Sequence, residues 1–258
     1  MKVILTHDVD HLYITEHWKD RFLLGLFVRS VRSILRSELS IIGFFRRFKF
    51  RTHRIPELIE FNTSVGAPSN FYFGMANALG LSYHPNRAKP IIKRLLDGGH
   101  FIGLHGISFD DKNQMLTEKI RLEKIIGREV VGIRNHYLRQ SENTKTLMAE
   151  IGYLFDSTDG GLFNPKKKGG VLSIPISIMD VDVLKQGVSA EEAWKSTLEV
   201  LDKAEKKHLK YFVINFHDIY FDPVSYPIFY NWYIGLVKEC QARGFEFTNF
   251  QSVLQEHQ

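Results

Sequence analysis

The feature that most constrains this chain is a repeated unit. A short apolar run without polar alternation ends in a residue able to do chemistry, and many of these runs are followed by a stretch of helical periodicity. The runs cover residues 3–6, 70–73, 101–104, 132–134, 153–155, 172–174, 211–216 and 245–248. Continuous apolar runs of this length read as strands covered on both faces, and strands alternating with helices predict a parallel sheet. Between two of them, Ala190, Ala193, Trp194, Thr197, Leu198, Leu201 and Ala204 fall on one helical stripe. Ser189 and Glu192 form a capping box in front of it. Residues 115–126 and 230–240 carry looser versions of the same pattern.

A barrel is favoured over an open sheet by where the polar residues fall. Asp8 and Asp10, His105, Arg134 and His136, Asp156, Asp180 and His217 follow the apolar runs. In a barrel the loops after the strands converge on one mouth, whereas an open sheet gathers ligands at a switch point. There is no glycine-rich phosphate loop to mark such a point. The expected architecture is a single-domain, distorted (β/α) barrel of about seven parallel strands spanning all 258 residues, with a basic amphipathic insertion at about 19–54.

Composition narrows the class further. The single cysteine, Cys240, excludes an intrachain disulfide framework and a cysteine-based zinc site, leaving eleven histidines as soft ligands. The longest apolar run, 22–28, falls far short of the roughly 20 residues needed to span a bilayer. The amino terminus reaches charged residues after one short run and lacks the apolar middle of a secretion signal. The expectation is a soluble, cytoplasmic protein. Net charge is +5, yet residues 19–54 alone carry +8 and leave −3 for the rest. Arginines there interleave with phenylalanines, leucines and isoleucines, the composition of an interfacial helix on anionic lipid and equally of a solvated helical excursion. The first reading makes the protein peripheral to the inner membrane. No nucleic-acid motif accompanies the charge, so nucleic acid is not an expected partner.

Four segments carry the chemistry: Leu5-Thr6-His7-Asp8-Val9-Asp10-His11, Gly99-His100-Phe101-Ile102-Gly103-Leu104-His105, Gly132-Ile133-Arg134-Asn135-His136-Tyr137-Leu138-Arg139 and Asn215-Phe216-His217. Two carboxylates two residues apart at a strand end can face one mouth, one holding a metal and the other acting as a base. An arginine at a strand end can grip a carboxylate bidentately. In order and over nearly the whole chain, these segments resemble the polysaccharide deacetylase family, the NodB-homology or carbohydrate esterase 4 group. Gly152-Tyr153-Leu154-Phe155-Asp156-Ser157-Thr158 resembles a further motif of that family. The third segment is similar to a version seen in members linked to bacterial surface polysaccharides.

The resemblance implies a metal-dependent hydrolase that removes N-acetyl or similar acyl groups from a surface-polysaccharide or lipid-linked sugar intermediate. It implies a divalent metal, with zinc the expected ion, on Asp10 and His105. Asp8 is then the base, Arg134 its orienting partner, the Tyr137 backbone N–H an oxyanion donor and His217 the acid. Asp180 is the expected partner of His217, with Asp156 the second choice. The family's second motif usually supplies another histidine four residues after the first, where this chain has Phe109. Asp110, Asp111, His136, His84 or water are the open alternatives for the missing ligand. His7, His11 and His136 flank the expected site. The alternatives to catalysis are a catalytically impaired barrel that still binds carbohydrate, and a peripheral membrane or assembly protein acting through the basic segment.

Overall fold

The computed structural model describes every residue of the chain except Lys19, Gln186 and Gln258. The first cation of the basic segment therefore lies outside the described residues. Among these, ten strands form one sheet: β1 (Lys2–Val9), β2 (Ser69–Phe73), β3 (Phe101–Gly106), β4 (Gly132–Asn135), β5 (Phe155–Asp156), β6 (Lys166–Lys168), β7 (Val171–Ser173), β8 (Ile178–Met179), β9 (Tyr211–Asn215) and β10 (Glu246–Thr248). They run in the order β6-β7-β5-β4-β3-β2-β1-β9-β8. β10 pairs with β1 at Lys2–Ile4, ahead of the stretch where β1 meets β2. Every pairing is parallel except β6 with β7. The sheet curls into a distorted, open barrel. Its margins are joined by the chain itself: Ile174 donates to the Asp156 carbonyl beside β5, and Ser177 to the Val213 carbonyl in β9. Residues 165–170, read from sequence as an exposed lysine loop, contain the antiparallel strand β6. β8 is two residues long and gave no sequence signal.

The helices are α1 (Phe22–Leu35), α2 (Ile41–Arg47), α3 (Ile55–Ser64), α4 (Pro85–Asp97), α5 (Lys112–Ile126), α6 (Thr144–Glu150), α7 (Asp180–Val183), α8 (Ala190–Lys206), α9 (Pro227–Ala242) and α10 (Phe250–Glu256). α8 begins with the expected capping box. α5 begins on Asp111, whose carboxylate accepts from Asn113 and Gln114 N–H, and ends on Gly127 at φ +73°. That left-handed residue is one that glycine adopts without steric cost.

Two apolar layers result from strands buried on both faces. The outer one packs the sheet against the helices, with Val3, Leu5, Phe71, Phe73, Phe212 and Ile214 from the strands and Tyr233 and Leu236 from α9. The inner one fills the barrel: Ile4, Tyr72, Phe155, Tyr211 and Val213 meet Phe250 and Val253 of α10. Phe250 lies 4.6 Å, centroid to centroid, from Phe155 and 6.0 Å from Phe101, near the starts of the strands. α10 therefore plugs the barrel at its amino-terminal end. Close approach has a sequence requirement: a Cβ on Gly103 would lie 2.6 Å from the Tyr72 ring, and one on Gly132 2.2 Å from Phe155.

Candidate active site

Period-two alternation decides which side chains enter the mouth. In β1, Thr6 and Asp8 face inward, and Asp10 follows just beyond the strand. His7 faces outward: its Nδ1 lies 3.0 Å from the Phe216 carbonyl and its Nε2 3.1 Å from the Asn62 amide. Burial pushes that imidazole down to about 3, so it stays neutral. His7 is a packing residue between sheet and helices.

The guanidinium of Arg134 is fully buried above the Tyr72 ring, 4.4 Å from its centroid. It does not grip Asp8 bidentately. Nη1 reaches Asp8 Oδ1 at 2.8 Å, Thr6 Oγ1 at 3.0 Å and Asn215 Oδ1 at 2.6 Å, while Nε and Nη2 donate to the Ser157 carbonyl and hydroxyl. The second Asp8 oxygen accepts from Asn215 Nδ2 at 2.8 Å. Asn215 is the residue sequence reasoning missed. Its signal was available: it precedes His217 by two positions at the end of an apolar strand. Burial opposes ionisation of Asp8, yet the Arg134 charge wins and holds its carboxyl down at about 2.

Beside this network, Asp10, His105 and His136 bring one potential ligand atom each within 4.8 Å of one another. His105 Nε2 is 2.9 Å from His136 Nδ1 and 3.3 Å from Asp10 Oδ1, and His136 Nδ1 is 3.5 Å from the same oxygen. The outer nitrogens face backbone carbonyls: His105 Nδ1 the Arg134 oxygen and His136 Nε2 the Leu79 oxygen, each at 3.0 Å. A carbonyl can only accept, so these outer nitrogens carry the ring protons. When both rings are neutral, the inner nitrogens present lone pairs toward a third from Asp10 Oδ1. That oxygen is buried and has no hydrogen-bond partner among the described residues. Burial opposes charge on His105, but Asp8 and Asp10 outweigh it and raise its pKa. In the metal-free site a proton on His105 Nε2 can join these atoms, and a cation that displaces it finds three ligand atoms already converged. Bonds of about 2.0–2.2 Å in a tetrahedral shell set neighbouring ligand atoms about 3.3 Å apart, close to the observed separations. Backbone carbonyls orienting imidazoles are also the usual outer support of metal-binding histidines. The donors present fit a divalent metal.

His136 thus joins Asp10 and His105, whereas the other candidates for the third position lie elsewhere. Asp111 caps α5, Asp110 is exposed, and the exposed His84 caps α4. Phe109 packs under Arg139, whose guanidinium carbon is 4.3 Å from its ring centroid. Tyr137 follows His136 at φ +55°, and Leu138 at φ +53°. Two successive left-handed residues that are not glycine store strain of about 1–3 kcal/mol each and mark a turn the surroundings enforce. The Tyr137 ring is exposed, 4.2 Å from the His136 ring centroid.

On the opposite side, His217 is held by Asp180. The ring Nδ1 lies 2.8 Å from Asp180 Oδ1, and the backbone N–H donates to Oδ2 at 2.7 Å. Nε2 points into the mouth, 3.7 Å from Asp10 Oδ2. Burial disfavours the charged ring, but Asp180 and then Asp10 outweigh it and raise His217 to about 10. Asp156 lies apart from these groups: its carboxylate takes Lys145 and the Thr158 hydroxyl and N–H. His11 stands next to Asp10 but turns its Nδ1 to His17 Nε2, 3.1 Å away.

No protein-family model and no curated protein matches this chain. Solved structures do. A putative polysaccharide deacetylase from Mycobacterium smegmatis superposes with a TM-score of 0.67 over 99% of this chain and 89% of that one, at 17% identity. The fold is that of the polysaccharide deacetylases. A probable polysaccharide deacetylase from Pseudomonas aeruginosa PAO1 gives 0.64 over 98% and 89%, at 16% identity. Puue allantoinase gives 0.62 over 98% and 88%, at 13% identity. The deacetylase fold therefore also carries a differently named activity, and the reading of function rests on this chain's own site.

Proposed function

We propose that this protein is a metal-dependent hydrolase that removes an amide-linked acyl group, such as N-acetyl, from a carbohydrate. The observation that carries the reading is the convergence of three potential ligand atoms, from Asp10, His105 and His136, between the Asp8 carboxylate and the His217 ring. Two imidazoles and one carboxylate suit zinc. A divalent cation bound there lowers the pKa of a coordinated water and polarises a carbonyl.

The protein's own groups then divide the proton work. Asp8 is the base. Arg134 and Asn215 fix one oxygen each, so the carboxylate keeps its orientation and remaining lone pairs, and its low pKa keeps it ionised. His217 is the acid. Protonated and held through Nδ1 by Asp180, it offers the Nε2 proton to the departing nitrogen, a leaving group too poor to depart unprotonated. The Tyr137 backbone N–H is the donor to the developing oxyanion that the family resemblance implies. Members linked to surface polysaccharides share a segment like 132–139, which supports a surface-polysaccharide or lipid-linked intermediate as substrate.

The test is acetate release from N-acetylated oligosaccharides, before and after chelation and after zinc is restored. Release that chelation abolishes and zinc restores is the expected result. Carbohydrate binding without release at any metal loading would overturn the hydrolase reading in favour of a binding barrel.

A further inference from the structure

The basic segment folds into two populations of cations that the sequence could not separate. Arg46 and Arg54 both bind the buried Asp222, at 2.7 and 2.5 Å, Arg47 donates to the Ser225 carbonyl and Ser30 hydroxyl, and Arg51 pairs with Glu57. Arg46 and Arg47 pin α2 to the segment around Asp222 and Ser225, and Arg51 and Arg54 fix the chain that follows it. Gly43 completes the attachment, since a Cβ there would lie 2.4 Å from the Val224 carbonyl. Arg29 and Arg32 on α1 and Arg21 and Arg36 at its two caps are exposed, and no carboxylate among the described residues lies within 4.0 Å of them.

The apolar side chains are the reverse of a buried helix. On α1, Leu24, Phe27, Val28, Val31 and Leu35 fall at i, i+3, i+4, i+7 and i+11 and are all exposed, Leu35 at 80%. On α2, Ile41, Ile42 and Phe45 are exposed as well, Ile42 at 74%. Trp18, one turn before α1, is 82% exposed. Phe27 of α1 meets Phe44 of α2 at 5.8 Å. Ten of the seventeen large apolar residues exposed among the described residues lie between 18 and 50. At 100° per residue, these unpaired arginines run along one flank of the α1 stripe. That is an apolar ridge with a cationic margin and an exposed tryptophan, the make-up of a helix lying in a lipid headgroup layer.

We infer that α1 and the outer face of α2 dock on an anionic lipid bilayer, with the helix axes in the plane of the surface. The occupant follows from charge: the unpaired guanidiniums of Arg21, Arg29, Arg32 and Arg36 beside an apolar stripe complement anionic headgroups over acyl chains. The first turn of α1 lies at the mouth, where its inward-facing Phe22 ring lies 4.1 Å from that of His11, the neighbour of Asp10. Docking therefore sets the catalytic opening beside the bilayer and gives it carbohydrates carried on a lipid anchor. This last step rests on the hydrolase reading; the docking does not.

Co-sedimentation with phosphatidylcholine vesicles of rising phosphatidylglycerol content, at low and high salt, tests it. Binding should rise steeply with anionic lipid and fall with salt. The triple variant Phe27→Ser/Val31→Ser/Leu35→Ser should lose at least tenfold in affinity. Arg32→Glu/Arg36→Glu should lose more than twentyfold, since each cation near such a surface contributes about fivefold. Both variants should keep the wild-type melting temperature and acetate release from a soluble substrate. Equal binding to neutral and anionic vesicles, or no binding by the wild type, would overturn the inference. So would a lipid-free wild-type dimer that the triple variant dissociates, since a second copy would then own the face. Vesicle binding is read separately from acetate release, so an inactive protein that still binds supports docking and sinks only the hydrolase reading.

Discussion

Asp180 holds His217 twice, through the ring Nδ1 and through the backbone N–H of the same residue. Ring orientation, tautomer and charge therefore depend on one carboxylate. Asp180→Asn should bring the His217 pKa down from about 10 toward the ordinary imidazole value and cut turnover by about 100-fold or more. Proton NMR titration of His217 beside acetate release checks both. An unchanged pKa with normal turnover would remove Asp180 from its positioning role.

In the proposed cation site His136 is the third ligand and the helix-capping Asp111 is not. Removing one of three ligands should weaken zinc binding by more than tenfold in His136→Ala, while Asp111→Asn and Asp110→Asn bind as the wild type does. Titration calorimetry on chelated protein measures this. Zinc should also raise the melting temperature of the wild type and much less that of His136→Ala.

Arg134 is a buried charge whose partners all come from other strands or the turn after β5. Arg134→Met would leave the Asp8 carboxylate buried with one oxygen unpartnered, and losing one side of a buried pair costs about 3–5 kcal/mol. Urea unfolding should show a loss of that order. Asn215→Ala removes a neutral donor to the same carboxylate and should cost less, about 1–3 kcal/mol.

Stability of the metal-free protein should peak between pH 6 and 7. Burial lowers His7, His11 and His53 to about 3, 3 and 4. Unfolding releases these rings to bind protons below about 6.5, so stability falls as pH drops through that range. Asp218 acts the other way: burial raises it to about 7, although the Arg54 N–H opposes the rise. The folded state keeps a proton there that the unfolded chain gives up near 4, so this contribution declines as pH rises from about 4 to 7. His217, raised to about 10, contributes stability that declines above about 6.5. Asp218→Asn should therefore steepen the rise between pH 4 and 6.5 by about 1.4 kcal/mol per pH unit. Chemical denaturation across that range is the measurement.

What could be read from the chain alone follows from how directly a local pattern fixes a position. β1, β3, β4 and β9 were legible because two-sided burial leaves unbroken apolar runs, and their last residues face the mouth by alternation. That placed Asp8, Asp10, His105, Arg134 and His217 at one opening, where the structure has them. The third donor stayed open because His136 reaches His105 through a left-handed turn at Tyr137 and Leu138 that neither residue type announces. β6 was hidden because its three residues are all lysines and form no apolar run, and β8 because two residues carry no pattern. The basic segment was legible as composition but not as geometry. Asp222, which ties Arg46 and Arg54 inward, lies about 170 residues away in the chain.

The plug made by α10 also bears on how a long substrate is handled. With Phe250 and Val253 packed into the far end, the described residues leave the barrel open at the ends of the strands that carry Asp8, His105 and His217. Under the proposed function, substrate and products use that one side. A carbohydrate chain, the substrate proposed above, then meets the site from outside rather than by threading through the barrel.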